Sequence, residues 1–350
     1  MSTVGEASPG KTGSRWLALA SRHRRLLVLG GLILLPLVIA WEHYYLEILA
    51  LIFLWSAMAG AWNIVGGYAG KFSLGHAAFF GLGAYTSSLL YVRLGITPWL
   101  GVLVGIGLSV LLALFVGMVT LRLKGKFFAL CTIAIGEVLV ILAVYFRGLT
   151  NGSEGLLITY RPGLANMIFE DKIVWVYIFM ALMLAVYATS RWLEGSKLGY
   201  ELAALREDED AAEALGVNTL YGKLASFAIS AAFTSLGGTL FAQYFQWLEP
   251  QYVLSLDLSI QFALYAIIGG MGTAIGPILG ASLITPLQIF LRAFFGTAAS
   301  GMYLIIYGLL LVVVVLFMPR GIAVEVGARY RHWREQRRAQ AAGHEVRHAA

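Results

Sequence analysis

The chain has 350 residues, of which 59% are hydrophobic and 13% are charged, whereas a soluble globular protein carries about 25% charged residues. This composition excludes an ordinary soluble domain. Several apolar runs approach or exceed the ~18 residues that a membrane-spanning helix requires, so we expect an all-α polytopic membrane protein. The net charge of +6 does not indicate nucleic-acid binding, because the basic residues lie near the ends of apolar runs, where they orient a membrane protein.

Apolar runs and their breakers predict ten membrane-spanning helices. They cover residues 26–41, 46–66, 73–92, 99–121, 127–146, 173–193, 223–245, 258–271, 276–295 and 301–318. The first and eighth runs are short and the third is rich in glycine and polar residues, so complete spanning by these three stays open. The predicted domains are a basic tail (1–25), a transmembrane domain (26–320) containing a charged segment (194–222), and a second basic tail (321–350).

Lys and Arg residues predict the orientation of the helices. With both termini in the cytoplasm, all but five of the 25 positive residues lie on the cytoplasmic side, as expected when positive loops stay inside. The five exceptions are Arg93, Arg147, Arg161, Lys172 and Arg292. We do not interpret the N-terminal tail as a cleavable signal peptide. The two tails are predicted either to contact anionic membrane lipid or to be solvated and held near the membrane by charge alone.

Residues 5–12, "GEASPGKT", match the pattern of a phosphate-binding loop. That loop requires a strand before it and a helix after it, so that backbone N–H groups converge on the phosphates. Only four residues precede this match, and "GS" follows it. We therefore expect the chain to bind no nucleotide and no other cofactor itself.

Two glycine clusters share a pattern in the two halves of the chain: "IVGGYAG" (64–70) and "IIGGMGT" (267–273). Paired, glycine-interrupted apolar segments are typical of internally repeated transporters with broken helices near the pathway. Pairs with G-x-x-x-G spacing, Gly101/Gly105 and Gly276/Gly280, instead favour close packing between helices.

Polar side chains at membrane depth are costly unless they are paired or face water. Five of them are candidates either for lining a translocation path or for bridging helices: Asn63, Ser73, His76, Glu137 and Gln261. No cluster has metal-ligand spacing, and no nucleophile arrangement suggests an intramembrane hydrolase. We therefore expect a protein that is not an enzyme.

The charged segment 194–222 is the longest predicted cytoplasmic interruption. From Glu201 to Leu215 it lacks Pro and Gly and is rich in helix formers, and Gly216 then supplies a stop. One helix is therefore predicted. Its apolar face is expected to contain Leu198, Leu202, Leu205, Ala212 and Leu215. Such a face packs either on the protein itself or on a soluble partner.

Within this segment, Asp210, Ala211, Ala212 and Gly216 resemble the E-A-A-x-x-x-G loop of ABC importer permeases, which fits a cleft on the ATPase subunit. Asp replaces Glu here, and the I-x-L-P that often follows is absent. We include Glu207 among the residues expected to couple to an ATPase, and also Leu205.

Four further stretches extend the resemblance over roughly residues 45–320. They are "GGYAGKFSLGHAAFFGLGAY" (66–85), "GKFFALCTIAIGEVL" (125–139), "TNGSEGL" (150–156) and "YAIIGGMGTAIGPILGA" (265–281). Together they are similar to branched-chain amino acid ABC transporter permeases of the LivM type. The resemblance implies about ten helices in a fold similar to type II importers, and a bacterial inner-membrane location. It also implies a homologous LivH-type permease, two ATPase subunits that bind the ATP, and a periplasmic binding protein as partners.

Three alternatives stay open from the sequence. The same architecture could import urea, amides or other amino acids. An ion-coupled secondary transporter could use Glu137 and would need no ATPase. An intramembrane enzyme is the third alternative, and it lacks a catalytic constellation.

Overall fold

The computed structural model describes residues 41–121, 126–295 and 321–325, together with single residues between 31 and 38, between 305 and 316, and at 329. Most of the predicted spans 26–41 and 301–318, most of both tails and the whole "GEASPGKT" motif lie outside the described residues.

The described chain is almost entirely helical, which confirms the predicted all-α polytopic class. Its α-helices are α1 His43–Asn63, α2 His76–Leu94, α3 Pro98–Thr120, α4 Lys126–Tyr145, α5 Arg147–Thr150, α6 Lys172–Gly195, α7 Lys197–Glu207, α8 Glu209–Ala214, α9 Thr219–Phe245, α10 Pro250–Val253, α11 Leu256–Gly270 and α12 Gly276–Phe295. A π-helical turn, Ile64–Tyr68, continues α1. Two-residue strands, β1 Leu156–Leu157 and β2 Trp247–Leu248, pair antiparallel with Leu156 opposite Leu248.

Seven helical stretches in the described ranges are long and apolar enough to cross a membrane. The predicted short span 258–271 belongs to one of them, because α10 and α11 together run from Pro250 to Gly270. The predicted span 73–92 forms α2, whose serine, threonine and histidine residues make it less apolar than the seven. The structure thus supports a multi-pass membrane protein with α2 as a polar inner helix.

Helix α1 lies at the centre and α4 at the periphery. Helix α1 packs along α6, α11 and α12, while α9 packs along α2 and α3. Helix α1 is the most enclosed of the seven spanning candidates, and α4 is the least enclosed. The outward face of α4 therefore contacts either lipid or another protein.

Glycine sets the distance between the central helices. A Cβ atom at Gly101 would lie 2.8 Å from Ser87 Cα, and one at Gly280 would lie 1.9 Å from the Tyr265 carbonyl oxygen. Both predicted G-x-x-x-G pairs therefore permit close approach, of α3 to α2 and of α12 to α11.

Contacts between loops divide the molecule into two ends. At one end, the side chain of Trp99 donates to the Leu164 carbonyl oxygen at 2.8 Å, and Lys172 pairs with Glu47 at 2.7 Å. At the other end, which we call the coupling end, the segment 196–218 packs on the termini of α1 and α9. Five basic residues were predicted to lie outside the cytoplasm: Arg93, Arg147, Arg161, Lys172 and Arg292. All five lie away from the coupling end, either in the loops of the opposite end or on the helix turns next to those loops.

The contact between α2 and α9 can be tested at Gly238. A Cβ atom there would lie 1.9 Å from the Phe80 carbonyl oxygen, so we expect Gly238→Ala to lower the free energy of unfolding by about 1–3 kcal/mol through overpacking. Gly107→Ala is the matched control, because nothing lies within 4 Å of its Cβ position and alanine favours a helix. Thermal unfolding of both variants in detergent measures the difference, and equal melting temperatures would contradict the close packing.

Candidate functional site

The charged segment forms two helices, so the prediction of one helix from Glu201 to Leu215 is wrong. Asp208 has an extended backbone, and its carboxylate accepts a hydrogen bond from Ala211 N at 3.0 Å. Aspartate side chains compete for backbone N–H groups and favour the N-cap over the helix interior. This local bond ends α7 and starts α8. The predicted stop at Gly216 is confirmed by its φ of 84°.

Most of the predicted apolar face packs inward. Leu202, Leu205 and Ala212 are buried, and the two leucines pack against Ile64 and Tyr68 of the π-helical turn. Leu215 departs from the prediction, because 85% of its surface is exposed. The reason is the break at Asp208, which gives α8 a different orientation from a continuation of α7.

The remaining candidate coupling residues face outward. Glu207, Asp210, Ala211 and Gly216 are exposed, and nothing lies within 4 Å of a Cβ built on Gly216. With Leu215 they form what we call the docking surface. A large apolar side chain surrounded by exposed small and acidic residues at a loop tip is suited to contact with a soluble protein.

Glu209 attaches α8 to the membrane helices. One carboxylate oxygen pairs with Lys71 Nζ at 2.7 Å, and the other accepts a hydrogen bond from Lys223 Nζ. The Lys223 side chain is 3% exposed and also donates to the Leu121 carbonyl oxygen at 3.3 Å. Burial alone raises the pKa of Glu209, but the bonds from Lys223 and Lys71 outweigh it and hold the pKa below its ordinary value.

Two further side chains join the charged segment to the glycine clusters. The Arg206 guanidinium donates to the Gly67 carbonyl oxygen at 3.1 Å. The Glu194 carboxylate accepts from the Tyr68 hydroxyl at 2.9 Å and from Ala274 N at 3.0 Å. A displacement of the segment would therefore act on both clusters.

Asn63 brings the two glycine clusters together. Its side-chain oxygen accepts from Gly272 N at 2.8 Å, and its side-chain nitrogen donates to the Thr273 carbonyl oxygen at 3.0 Å. A Cβ atom on Gly67 would lie 2.5 Å from Gly272 N, so glycine is required for this approach. The clusters that share a sequence pattern are thus in direct contact at the coupling end.

Ser73 and His76 are fully enclosed by the chain. The His76 Nε2 atom lies 2.8 Å from Ser230 Oγ, which donates to the Ala61 carbonyl oxygen at 2.6 Å. The Ser73 carbonyl oxygen accepts from the Trp62 indole nitrogen at 2.7 Å. In this conformation these two residues, like Asn63, bridge helices and do not line an open path.

Glu137 and Gln261 have different surroundings. Glu137 is exposed on α4, between the exposed apolar residues Leu130 and Ile141. Gln261 lines a cavity among the ends of α1, α9, α11 and α12, and its amide donates to the Tyr265 hydroxyl at 2.6 Å. These two of the five candidates are accessible from outside the chain.

The sequence did not single out Glu209, Glu194 or Arg206. Each lies in a run of charged residues whose composition does not say which member turns inward. The available signal was Lys223, a positive residue at the start of the predicted apolar span 223–245, which requires a nearby acid when it is buried.

A sequence model of the family "Branched-chain amino acid transport system / permease component" matches residues 44–315 of this chain. The chain belongs to this permease family. The match covers every described membrane-spanning helix, including α1, where residue 44 is the second residue, and α12.

Individual relatives agree with the family. The permease is 27% identical over 317 residues to "High-affinity branched-chain amino acid transport system permease protein LivM" of Escherichia coli, covering 83% of this chain and 73% of that protein. It is 25% identical over 293 residues to "High-affinity branched-chain amino acid transport system permease protein LivH" of Salmonella typhimurium, covering 77% of this chain and 90% of that protein. It is 22% identical over 276 residues to a probable LivM of Methanocaldococcus jannaschii, covering 71% of this chain and 78% of that protein. No solved structure matches the chain.

The attachment of α8 can be tested at Glu209. We expect Glu209→Gln to lower the free energy of unfolding by about 2 kcal/mol, because it leaves the buried Lys223 ammonium without a carboxylate partner. Glu213→Gln is the matched control, since Glu213 is an exposed acid on the same helix. Thermal unfolding of the two variants gives the comparison, and equal stability would show that the ion pairs do not hold α8.

The same carboxylate predicts a pH dependence. The folded-state pKa of Glu209 lies below the ordinary value of 4.5, so its contribution is fully present above about pH 4.5 and is lost as the pH falls through the folded-state pKa. We expect the stability difference between the unsubstituted protein and Glu209→Gln to be constant near neutral pH and to shrink below pH 4.5. Melting curves across that range measure it, and a difference that grows in acid would contradict the assignment.

Proposed function

We propose that the chain is the membrane-spanning permease subunit of an ATP-driven ABC importer for branched-chain amino acids: leucine, isoleucine and valine. The observation that carries the proposal is the docking surface, which is exposed outward while its helices are bonded inward to both glycine clusters. Membership in the branched-chain amino acid permease family supports the cargo class.

The proposed location is the bacterial inner membrane, with both termini and the coupling end in the cytoplasm. The basic residues support this orientation. Lys71, Arg191, Lys197, Arg206 and Lys223 all lie at the coupling end, as the positive-inside distribution requires. The two terminal tails, 1–25 and 321–350, remain cytoplasmic in this proposal.

An ATPase subunit would bind the docking surface and provide the driving force. Closure of an ATPase dimer would displace α7 and α8, and Glu209, Arg206 and Glu194 would transmit the displacement to the ends of α1, α9 and α11. ATP would be bound by the partner subunits. In this proposal the permease makes and breaks no covalent bond, so it is a transport subunit without a catalytic site.

A second, LivH-type permease would cover the outward face of α4. A carboxylate at mid-depth is costly in lipid, yet Glu137 is exposed on the described chain. Packing of a second permease along Leu130, Glu137 and Ile141 would remove that face from lipid and place Glu137 beside a shared path. Similarity of this chain to both LivM and LivH proteins supports a pair of related subunits.

The end opposite the coupling end would receive the cargo from a periplasmic binding protein. The loops there contain the strand pair β1–β2 and the bond from Trp99 to Leu164. Because these loops are hydrogen-bonded to one another, they would present a defined surface to a binding protein.

The docking surface can be tested at Gly216. We expect Gly216→Arg to abolish copurification of the ATPase and reduce uptake at least about tenfold, because a bulky cation would occupy the docking surface. Gly95→Arg is the matched control: Gly95 also has a positive φ and open space around its Cβ position, but it ends α2 at the opposite end. The two variants carry similar backbone strain, so loss of ATPase binding in both would contradict a specific docking role.

Leu215 gives a test without backbone strain. We expect Leu215→Asp to weaken ATPase binding while leaving thermal stability unchanged, because its side chain is 85% exposed. Uptake of leucine in cells depleted of ATP but retaining a proton gradient completes the test. Uptake that continues under those conditions would favour an ion-coupled transporter instead. Full ATPase binding by Leu215→Asp would contradict the docking role of Leu215.

A further inference from the structure

A cavity of about 900 Å³ lies among the ends of α1, α9, α11 and α12 that are distant from the coupling end. This volume is within the range of small-molecule sites. Two polar residues line it, Gln261 of α11 and Gln288 of α12. It is separate from the exposed face of α4.

The polar side of the cavity, which we call its floor, is part of a closed hydrogen-bond network. Gln261 Nε2 donates to Gln288 Oε1 at 3.2 Å, and the Tyr265 hydroxyl donates to the same oxygen at 3.0 Å. Tyr265 is fully buried. A ligand meets a fixed polar floor here.

The walls of the cavity are apolar. They consist of Leu51, Trp55, Phe241, Leu258 and Leu264. The ring centroids of Trp55 and Phe241 lie 6.0 Å apart, so the two rings pack against each other. An aliphatic side chain in this region would be removed from water.

The rim carries charges of both signs. Glu249, Asp257 and Arg292 line the cavity, and none of the three forms an ion pair with another residue in the described ranges. Glu47 is the third carboxylate among the residues that line the cavity, and it forms an ion pair with Lys172. Among the residues that the structure describes, one guanidinium and two carboxylates without an ion-pair partner therefore lie beside an apolar pocket.

We propose that this cavity binds the cargo as a zwitterion within the permease itself, an inference that rests on the proposed function. Arg292 binds the α-carboxylate, since guanidinium groups match carboxylate geometry. Glu249 and Asp257 bind the α-ammonium group. The branched side chain lies between Trp55 and Leu258, above the floor formed by Gln261 and Gln288. An amino acid released by the binding protein thus has a site to enter before it crosses the membrane.

The test uses a photoactivatable diazirine analogue of leucine and the complete transporter, purified with its partner subunits in lipid nanodiscs. We expect labelling on peptides that contain Leu51, Trp55 or Leu258, and competition by excess leucine. The deaminated analogue 4-methylpentanoate and the decarboxylated analogue 3-methylbutylamine should each compete at least about tenfold less well, because each lacks one charged group.

Variants locate the carboxylate site. Arg292→Gln should reduce the competed labelling about tenfold and Arg292→Lys should restore part of it. Arg161→Gln is the matched control, since Arg161 is exposed at the same end and outside the cavity. Melting temperature and basal ATP hydrolysis report whether each variant is folded and assembled. If Arg292→Gln does not fold, Glu249→Gln tests the ammonium side of the same site and should also reduce the competed labelling.

Leucine uptake by the same complex with its binding protein separates the two proposals. Uptake without competed labelling in the cavity, or with labelling unchanged in Arg292→Gln, overturns the site and leaves the importer function standing. Labelling that phospholipid displaces and leucine does not would assign the cavity to lipid and also overturn the site. A complex that imports no leucine overturns both proposals.

Discussion

The contact on which the coupling end depends is the double hydrogen bond from the Asn63 amide to the loop after α11. Glycine loops between membrane helices have backbone groups that no helix satisfies, and unsatisfied groups are costly where water is excluded. Asn63 satisfies one N–H and one carbonyl group of the loop at Gly272 and Thr273. This bond joins the first and second halves of the chain at the coupling end.

The charged segment is attached around that point. Arg206 bonds to Gly67 and Glu194 bonds to Ala274, so the segment contacts both sides of the Asn63 connection. Burial of Leu202 and Leu205 against the π-helical turn adds an apolar contact. The inner face of the segment is therefore packed against the membrane domain, and its outer face is exposed.

The sequence predicted most of the fold because apolar runs in a membrane protein directly report the length of each helix. It also placed Gly216 at a helix end and paired the two glycine clusters by their shared pattern, but it did not predict that they contact each other. It did not predict the break at Asp208, because capping by a single aspartate competes with the helix propensity of the whole run. The ion pairs of Glu209 depend on tertiary placement of Lys71 and Lys223, which lie 138 and 14 residues away in sequence, and no local pattern encodes that placement.

The break at Asp208 makes α8 a short helix with its own attachment to the membrane domain. Six residues of α8 span about 9 Å at 1.5 Å per residue. Its start is attached by the Glu209 carboxylate, and its tip at Leu215 is exposed and continues through residues 216–218 into α9. In the proposed function, a force applied at the tip would reach the membrane helices by two routes. One runs along the chain into α9, which begins at Thr219, and the other runs through Glu209 to Lys71 and Lys223.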